Sequence, residues 1–355
     1  MRTLVLWHVA SHASKPLGPA GRFIADLALL CTRSRRWLAC SIGVRPGPFA
    51  RGGRPPRLEA LTGEGLAVLR LAMGQWSGLA ATLDKVGDGW LQLRNLRHEV
   101  GVRSLGAKLA LYEGRLVDSF DRFAAISELS LRRSDESWSA WGPMGQAEAA
   151  LCLGQLDDAV LQRLFERASQ VMTDMEDVDA AYTLRRQALA ARLAWRRGDV
   201  DASREAVRAG CAAAVRQRHC GFWAHEGYAG LGDTLLALRR HERARGGALP
   251  PLDEAWVQLQ PALAAHVRRF PPARSLQARL RGELALDEGR LSEAESALHR
   301  AIALAERQGM RVDLARACAL LAGVRGETPL QQRAERLWCD MRAAPAAGRA
   351  TIRMR

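Results

Sequence analysis

The sequence predicts an all-α chain: a helical-repeat solenoid of antiparallel helix pairs, about forty residues to a pair. Three observations predict it. A glycine recurs at Gly74, Gly114, Gly154, Gly198 and Gly289, with gaps of 40, 40, 44 and 91 residues, the last gap long enough for two units. Residue types keep fixed offsets from that glycine. Apolar residues between the glycines recur at intervals of three and four, the period of a helix with one buried face.

The offsets carry the physics. Seven residues before each glycine stands a small residue: Ala67, Ala107, Ala147, Ala191 and Gly282. Three before stands a large apolar one, Leu71, Leu111, Leu151, Trp195 and Leu286, and two after come Trp76, Leu116, Leu156, Val200 and Leu291. Five after come Leu79, Ser119, Ala159, Ser203 and Ala294, small in four of the five. A helix that ends on a left-handed glycine cap and is followed by a second helix folding back produces this pattern, with the small columns letting the two helices approach. Leu291, Ala294, Leu298, Ile302 and Ala305 form one such apolar stripe. A lone pair cannot cover its apolar faces. Successive pairs therefore stack into a tetratricopeptide-like superhelix whose first helices line a concave inner surface.

In chain order, residues 1–57 form a basic N-terminal segment, with ten Lys or Arg against Asp26 alone, ending in a Gly/Pro/Arg-rich linker at 41–57. The helical array spans 58–341. Its unit between Gly198 and Gly289 has a first helix at 226–238, a polar joint at 239–247 and a second helix at 253–270 that Pro261 is expected to kink or split. Residues 342–355 form a disordered basic tail. The formal charge of +14 lies almost wholly in the two ends, and the basic residues divide as 49 Arg to 3 Lys (Lys15, Lys85, Lys108), a ratio that fits coding bias without a nucleic-acid surface. Nucleic-acid binding is not expected.

Seven cysteines, an odd number with no CxxC pair, point to free thiols and a cytoplasmic protein, and no apolar run reaches the length of a membrane span. None of the three lysines follows a glycine, so a phosphate-binding GxxxxGK[ST] loop is absent, as are GxGxxG and GxSxG motifs. Cys211, His219, Cys220 and His225 lie close together but match no common zinc spacing, and His8 and His12 have no further ligand nearby. No metal, cofactor or catalytic residue is expected. Trp76 and Trp195 occupy repeat columns and read as core, whereas Trp141 and Trp223 read as packing with a secondary capacity to anchor a partner peptide. Glu148 and Glu226 read as single acids on a solvated face. The candidate partner groove comprises Gln146, Glu148, Arg185, Gln187, His225, Glu226 and Tyr228, polar positions on first helices.

The phrases Trp141-Gly142, Gly145-Gln146-Ala147-Glu148, Glu226-Gly227-Tyr228 and Arg269-Phe270-Pro271 carry a resemblance. Over residues 58–340 the chain resembles the C-terminal tetratricopeptide-like region of bacterial signalling proteins that join a class III adenylate/guanylate cyclase domain to an AAA-type ATPase domain. The resemblance implies a sensing or regulatory array. It does not extend to the cyclase or ATPase domains, whose motifs this sequence lacks. The expected function is a non-catalytic interaction module in signal transduction, with a protein or peptide partner that includes separately encoded cyclase or ATPase domains. The alternatives are a transcriptional regulator built on a similar array, or the detached end of a multidomain cyclase or ATPase.

Overall fold

The computed structural model describes residues 56–131, 139–154, 156–173, 180–216 and 221–343. The basic segment before residue 56, the tail from 344, and His219 with Cys220 lie outside these. The described residues form fourteen α-helices and no strand. They follow as α1 (Pro56–Met73), α2 (Leu79–Gln92), α3 (Leu96–Tyr112), α4 (Leu116–Leu131), α5 (Trp141–Leu153), α6 (Asp158–Thr173) and α7 (Ala180–Arg196). The second half is α8 (Val200–Arg216), α9 (His225–Ala244), α10 (Pro250–Arg269), α11 (Arg274–Asp287), α12 (Leu291–Gln308), α13 (Arg311–Arg325) and α14 (Thr328–Arg342). Two single 3-10 turns, Phe222–Ala224 and Pro271–Ala273, lead into α9 and α11.

Each odd-numbered helix packs tightly on the even one that follows. The marker glycines do what their spacing predicts, capping helices in the left-handed conformation: φ is 74° at Gly74, 75° at Gly114, 68° at Gly154, 76° at Gly198 and 73° at Gly289. The small columns are where hairpin partners touch. Ser119 Oγ donates to the Ala107 carbonyl at 2.9 Å and Ser203 Oγ to the Ala191 carbonyl at 3.0 Å, each bridging the column seven before a glycine to the column five after it. A hydroxyl at this position satisfies itself across the helix pair. At these two buried positions its presence therefore needs no other explanation; Ala159, in the same column, is exposed.

Two expectations change. Helix α9 runs on to Ala244, through most of the stretch read as a polar joint, because Arg239 is buried there and its guanidinium meets Asp253, Asp287 and Glu288. Helix α10 continues unbroken past Pro261. Pro261 lies on the exposed side, and the carbonyl it leaves without a helical donor belongs to Val257, whose side chain is 67% exposed, so water can reach that face.

Successive odd-numbered helices also lie side by side, from α1 against α3 through to α11 against α13. The run of hairpins then comes back on itself. Helix α14 touches α4, a Cβ on Gly114 would meet Met341 and Arg311, and one on Gly74 would meet Pro272. A seventh hairpin, α13 with α14, turning at Gly326 (φ 65°), makes part of this contact. The inner side of the odd helices is therefore packed. Tyr112 stacks on Trp76 at 5.5 Å between ring centroids and meets His225 at 5.5 Å and Phe270 at 5.6 Å, and its hydroxyl donates to the Phe222 carbonyl. Each large ring removed from water here contributes about 1.5–3 kcal/mol.

Candidate functional site

At the centre of the molecule α3, α5, α7 and α9 each supply one charge. Helix α3 is buried nearly all round, so Lys108, flanked by Ala107 and Leu109, has no route to water and is 0% exposed. Helix α5 is likewise apolar on all sides, which buries Glu148. Arg185 of α7 meets Glu148 in a fork, Nε to Oε1 at 2.7 Å and Nη2 to Oε2 at 2.6 Å. Lys108 Nζ donates to Oε2 of Glu226 on α9. Trp141 lies under both cations, with the Arg185 guanidinium 4.5 Å and the Lys108 ammonium 5.5 Å from its ring centroid. Trp223 abuts Trp141 edge-on at 4.4 Å.

Burial and charge set the protonation states. Removal from water, assisted by Arg185, pulls Lys108 down to about 8 against the attraction of Glu226 and Glu148. Burial opposes the charge on Arg185, but Glu148 outweighs it and holds the guanidinium above its ordinary value. Burial likewise opposes the charge on Glu226, yet Lys108 and Arg185 keep its carboxyl below the usual range. Burial depresses His225, which therefore favours its neutral form. Burial also raises the Tyr112 phenol well above its ordinary value.

A second network adjoins the first. Asp233 of α9 accepts from Arg279 of α11 at 2.7 Å and from Arg316 of α13. Burial works against its charge, but Arg279, Arg316 and Arg192 together hold Asp233 at about 2. Arg279 also reaches Glu283 and Asp313, and Asp313 accepts from Ser275 Oγ at 2.8 Å. A cavity of about 60 Å³ lies between the two networks, lined among others by Tyr112, Glu148, Arg192, His225, Glu226 and Asp313. A larger hollow of about 250 Å³ between α8 and α10 is edged by Arg204 and Arg208, which pair with their own neighbours Asp201 and Glu205.

Of the seven groove positions, Glu148, Arg185, His225 and Glu226 converge at this centre. The other three do not. Gln146 accepts from Ser127 Oγ at 3.3 Å and faces α4, Gln187 lies beside Gly210 of α8, and Tyr228 stacks on His266 of α10 at 4.7 Å. Six of the seven are largely withdrawn from solvent, Gln146, Glu148, Arg185, His225 and Tyr228 being buried and Glu226 having a side chain only 9% exposed. The reading of Glu148 and Glu226 as single solvated acids is thus corrected: both are buried in ion pairs. Trp141 and Trp223 are buried too, at 4% and 5%, which leaves them as packing rather than as anchors at the surface. Lys108, Asp233, Arg279 and Arg316 were missed. The one signal for Lys108 was its rarity, a lysine inside the apolar run 105–112 in a chain that almost always uses arginine.

Among the described residues no group of three or more His, Cys, Asp or Glu is placed to hold a metal, and no helix is long and apolar enough to cross a membrane. The fold and site define a class: paired helices around a buried ionic centre. No protein-family model matches the chain, and no curated protein matches it.

The buried lysine has a consequence that pH measures. Lys108 loses its proton near 8 in the folded chain and near 10.5 when unfolded, so above pH 8 the unfolded state binds more protons and stability rises with pH. Cys211, raised by burial from 9.0 to about 12, acts in the opposite direction above pH 9, and Tyr112 joins it above pH 10. Stability from urea denaturation is expected to increase between pH 8 and 9, by up to about 1 kcal/mol. Lys108→Met should flatten that rise; an equal slope in the variant would show that another group causes it.

Proposed function

We propose that the chain is a non-catalytic regulatory module, a tetratricopeptide-like array of the kind carried by bacterial cyclase–ATPase signalling proteins. It works in the cytoplasm by engaging a protein or peptide partner, separately encoded cyclase or ATPase domains included. The observation that carries this reading is the convergence of first helices from successive hairpins on one charged centre. Residues far apart in sequence, such as Lys108 and Glu226, are held in a single network, so an event at one hairpin is felt by several others.

The protonation states support binding over chemistry. Arg185 and Glu226 are held charged by fixed partners, and the Cys211 thiol, raised to about 12, is far from a reactive thiolate. Arg185, Glu226 and Cys211 therefore do not exchange protons at neutral pH, and Lys108, though pulled down to about 8, is still mostly charged there and paired with Glu226. The partner is expected to engage the mouth of the central cavity, where Arg192 is half-buried and reachable. Affinity purification from the source cells with the wild-type chain and with Arg192→Glu, compared by quantitative mass spectrometry, is expected to show a partner that the variant loses. Identical sets from both would sink the proposal.

A further inference from the structure

The ion pairs of the central cavity leave polar groups over. Glu226 gives Oε2 to Lys108, while its Oε1 is buried with no hydrogen-bond partner among the described residues. Nδ1 of His225 is in the same position, and both residues line the cavity. The Glu226 side chain is only 9% exposed and His225 only 5%, so bulk water does not serve them. Arg192 lines the cavity from α7; its charge helps to hold Asp233 ionised, but its guanidinium makes no hydrogen bond and no direct ion pair among the described residues, so its donors are unused. The remaining wall is largely apolar, with Leu111, Ala229, Met310 and Val312.

The unused groups are of both kinds. Glu226 Oε1 is an ionised acceptor and calls for a cationic donor; Arg192 is a cationic donor and calls for an anionic acceptor. A simple cation would leave the Arg192 donors without an acceptor, and a simple anion would leave Glu226 Oε1 without a donor. One small molecule bearing both charges matches both ends. The volume agrees: about 60 Å³ has room for roughly four to six water-sized centres, the scale of the five heavy atoms of an ammonium group, a central carbon and a carboxylate with at most a very short side chain.

We propose that this cavity binds a free α-amino acid, its ammonium donating to Glu226 Oε1 and its carboxylate accepting from Arg192. Neutral His225 beside Glu226 is placed to take a further hydrogen bond from the ligand or give one to it. The ligand would join α7 to α9 at the point where the two ionic networks meet. This inference concerns a small molecule and stands whether or not a partner protein docks.

Thermal unfolding of the full chain, screened against the proteinogenic L-amino acids one at a time, tests it, with butylamine and butyrate as single-charge controls. At least one amino acid is expected to raise the midpoint while neither control does. Titration calorimetry with that amino acid should then show Arg192→Gln weakening binding about tenfold or more, the loss of one charge-assisted hydrogen bond. Arg192 makes no hydrogen bond or direct ion pair among the described residues and acts on Asp233 only at a distance, so this variant should keep the wild-type helical circular dichroism and separate lost binding from lost folding. Glu226→Gln gives the matching test at the ammonium end. The proposal is overturned if no amino acid stabilises the chain, if butyrate or butylamine stabilises it equally, or if Arg192→Gln binds as the wild type does.

Discussion

Replacing Glu148 with alanine is expected to lower stability by about 3–5 kcal/mol, because it strands a guanidinium in the interior. Arg185 is 0% exposed and spends both Nε and Nη2 on Glu148, and its Nη1 already lacks a partner among the described residues. Removing the carboxylate leaves the face of Trp141, the more distant Glu226 and Tyr182 to offset the charge. The double variant Glu148→Leu with Arg185→Met separates pairing from burial. Exchanging a buried ion pair for apolar side chains of similar size is often neutral or stabilising by about 1–4 kcal/mol, so the double variant should recover most of what Glu148→Ala loses. Urea denaturation with linear extrapolation reads both. A double variant as unstable as the single one would mean that the charges themselves hold the hairpins together.

The second large effect is expected at Gly142 and Gly145, where α5 crosses α4 at close range. A Cβ on Gly142 would lie 2.1 Å from Ser127 Oγ, 2.7 Å from the Ser127 backbone nitrogen and 2.9 Å from the Phe123 carbonyl oxygen. A Cβ on Gly145 would lie 2.4 Å from the Phe123 ring. Backbone cannot swing aside as a side chain can, so the two helices must part, and Phe123 is fully buried. Alanine at either position should cost about 1–3 kcal/mol, with Gly142 at the upper end, although alanine is otherwise the better helix former. Gly323 is the internal control: it is exposed on α13, a methyl group added there would meet nothing within 4 Å, and alanine should be neutral or stabilising by up to about 1 kcal/mol. Equal losses at Gly142 and Gly323 would refute close approach as the cause.

The hairpins were legible because their signals are local. A left-handed cap favours glycine, a close helix pair favours small residues seven before and five after it, and both recur in most of the hairpins. The same glycines at 142 and 145 that stand in the phrases resembling cyclase–ATPase arrays are those that α4 presses against. The centre was less legible because its signals are not local. Glu226 on α9 finds Lys108 on α3 across the whole run of helices between them, and no spacing in the sequence announces that meeting. One clue was present. The α5 sequence WGPMGQAEAALCL is apolar around its whole circumference, and a helix without a polar face is buried, so its one acid had to be buried and paired. Reading Glu148 as solvated took the residue type as evidence when the surrounding helix argued otherwise.

The meeting of α14 with α4, and of Pro272 with the turn at Gly74, changes how the molecule should come apart. A stack whose layers touch only the layers above and below can fray from one end while the rest survives. Here α14 rests on α4 and the turn at Gly74 rests on Pro272, so both end hairpins of the described residues are held by layers distant in sequence and should melt with the rest rather than peel away first.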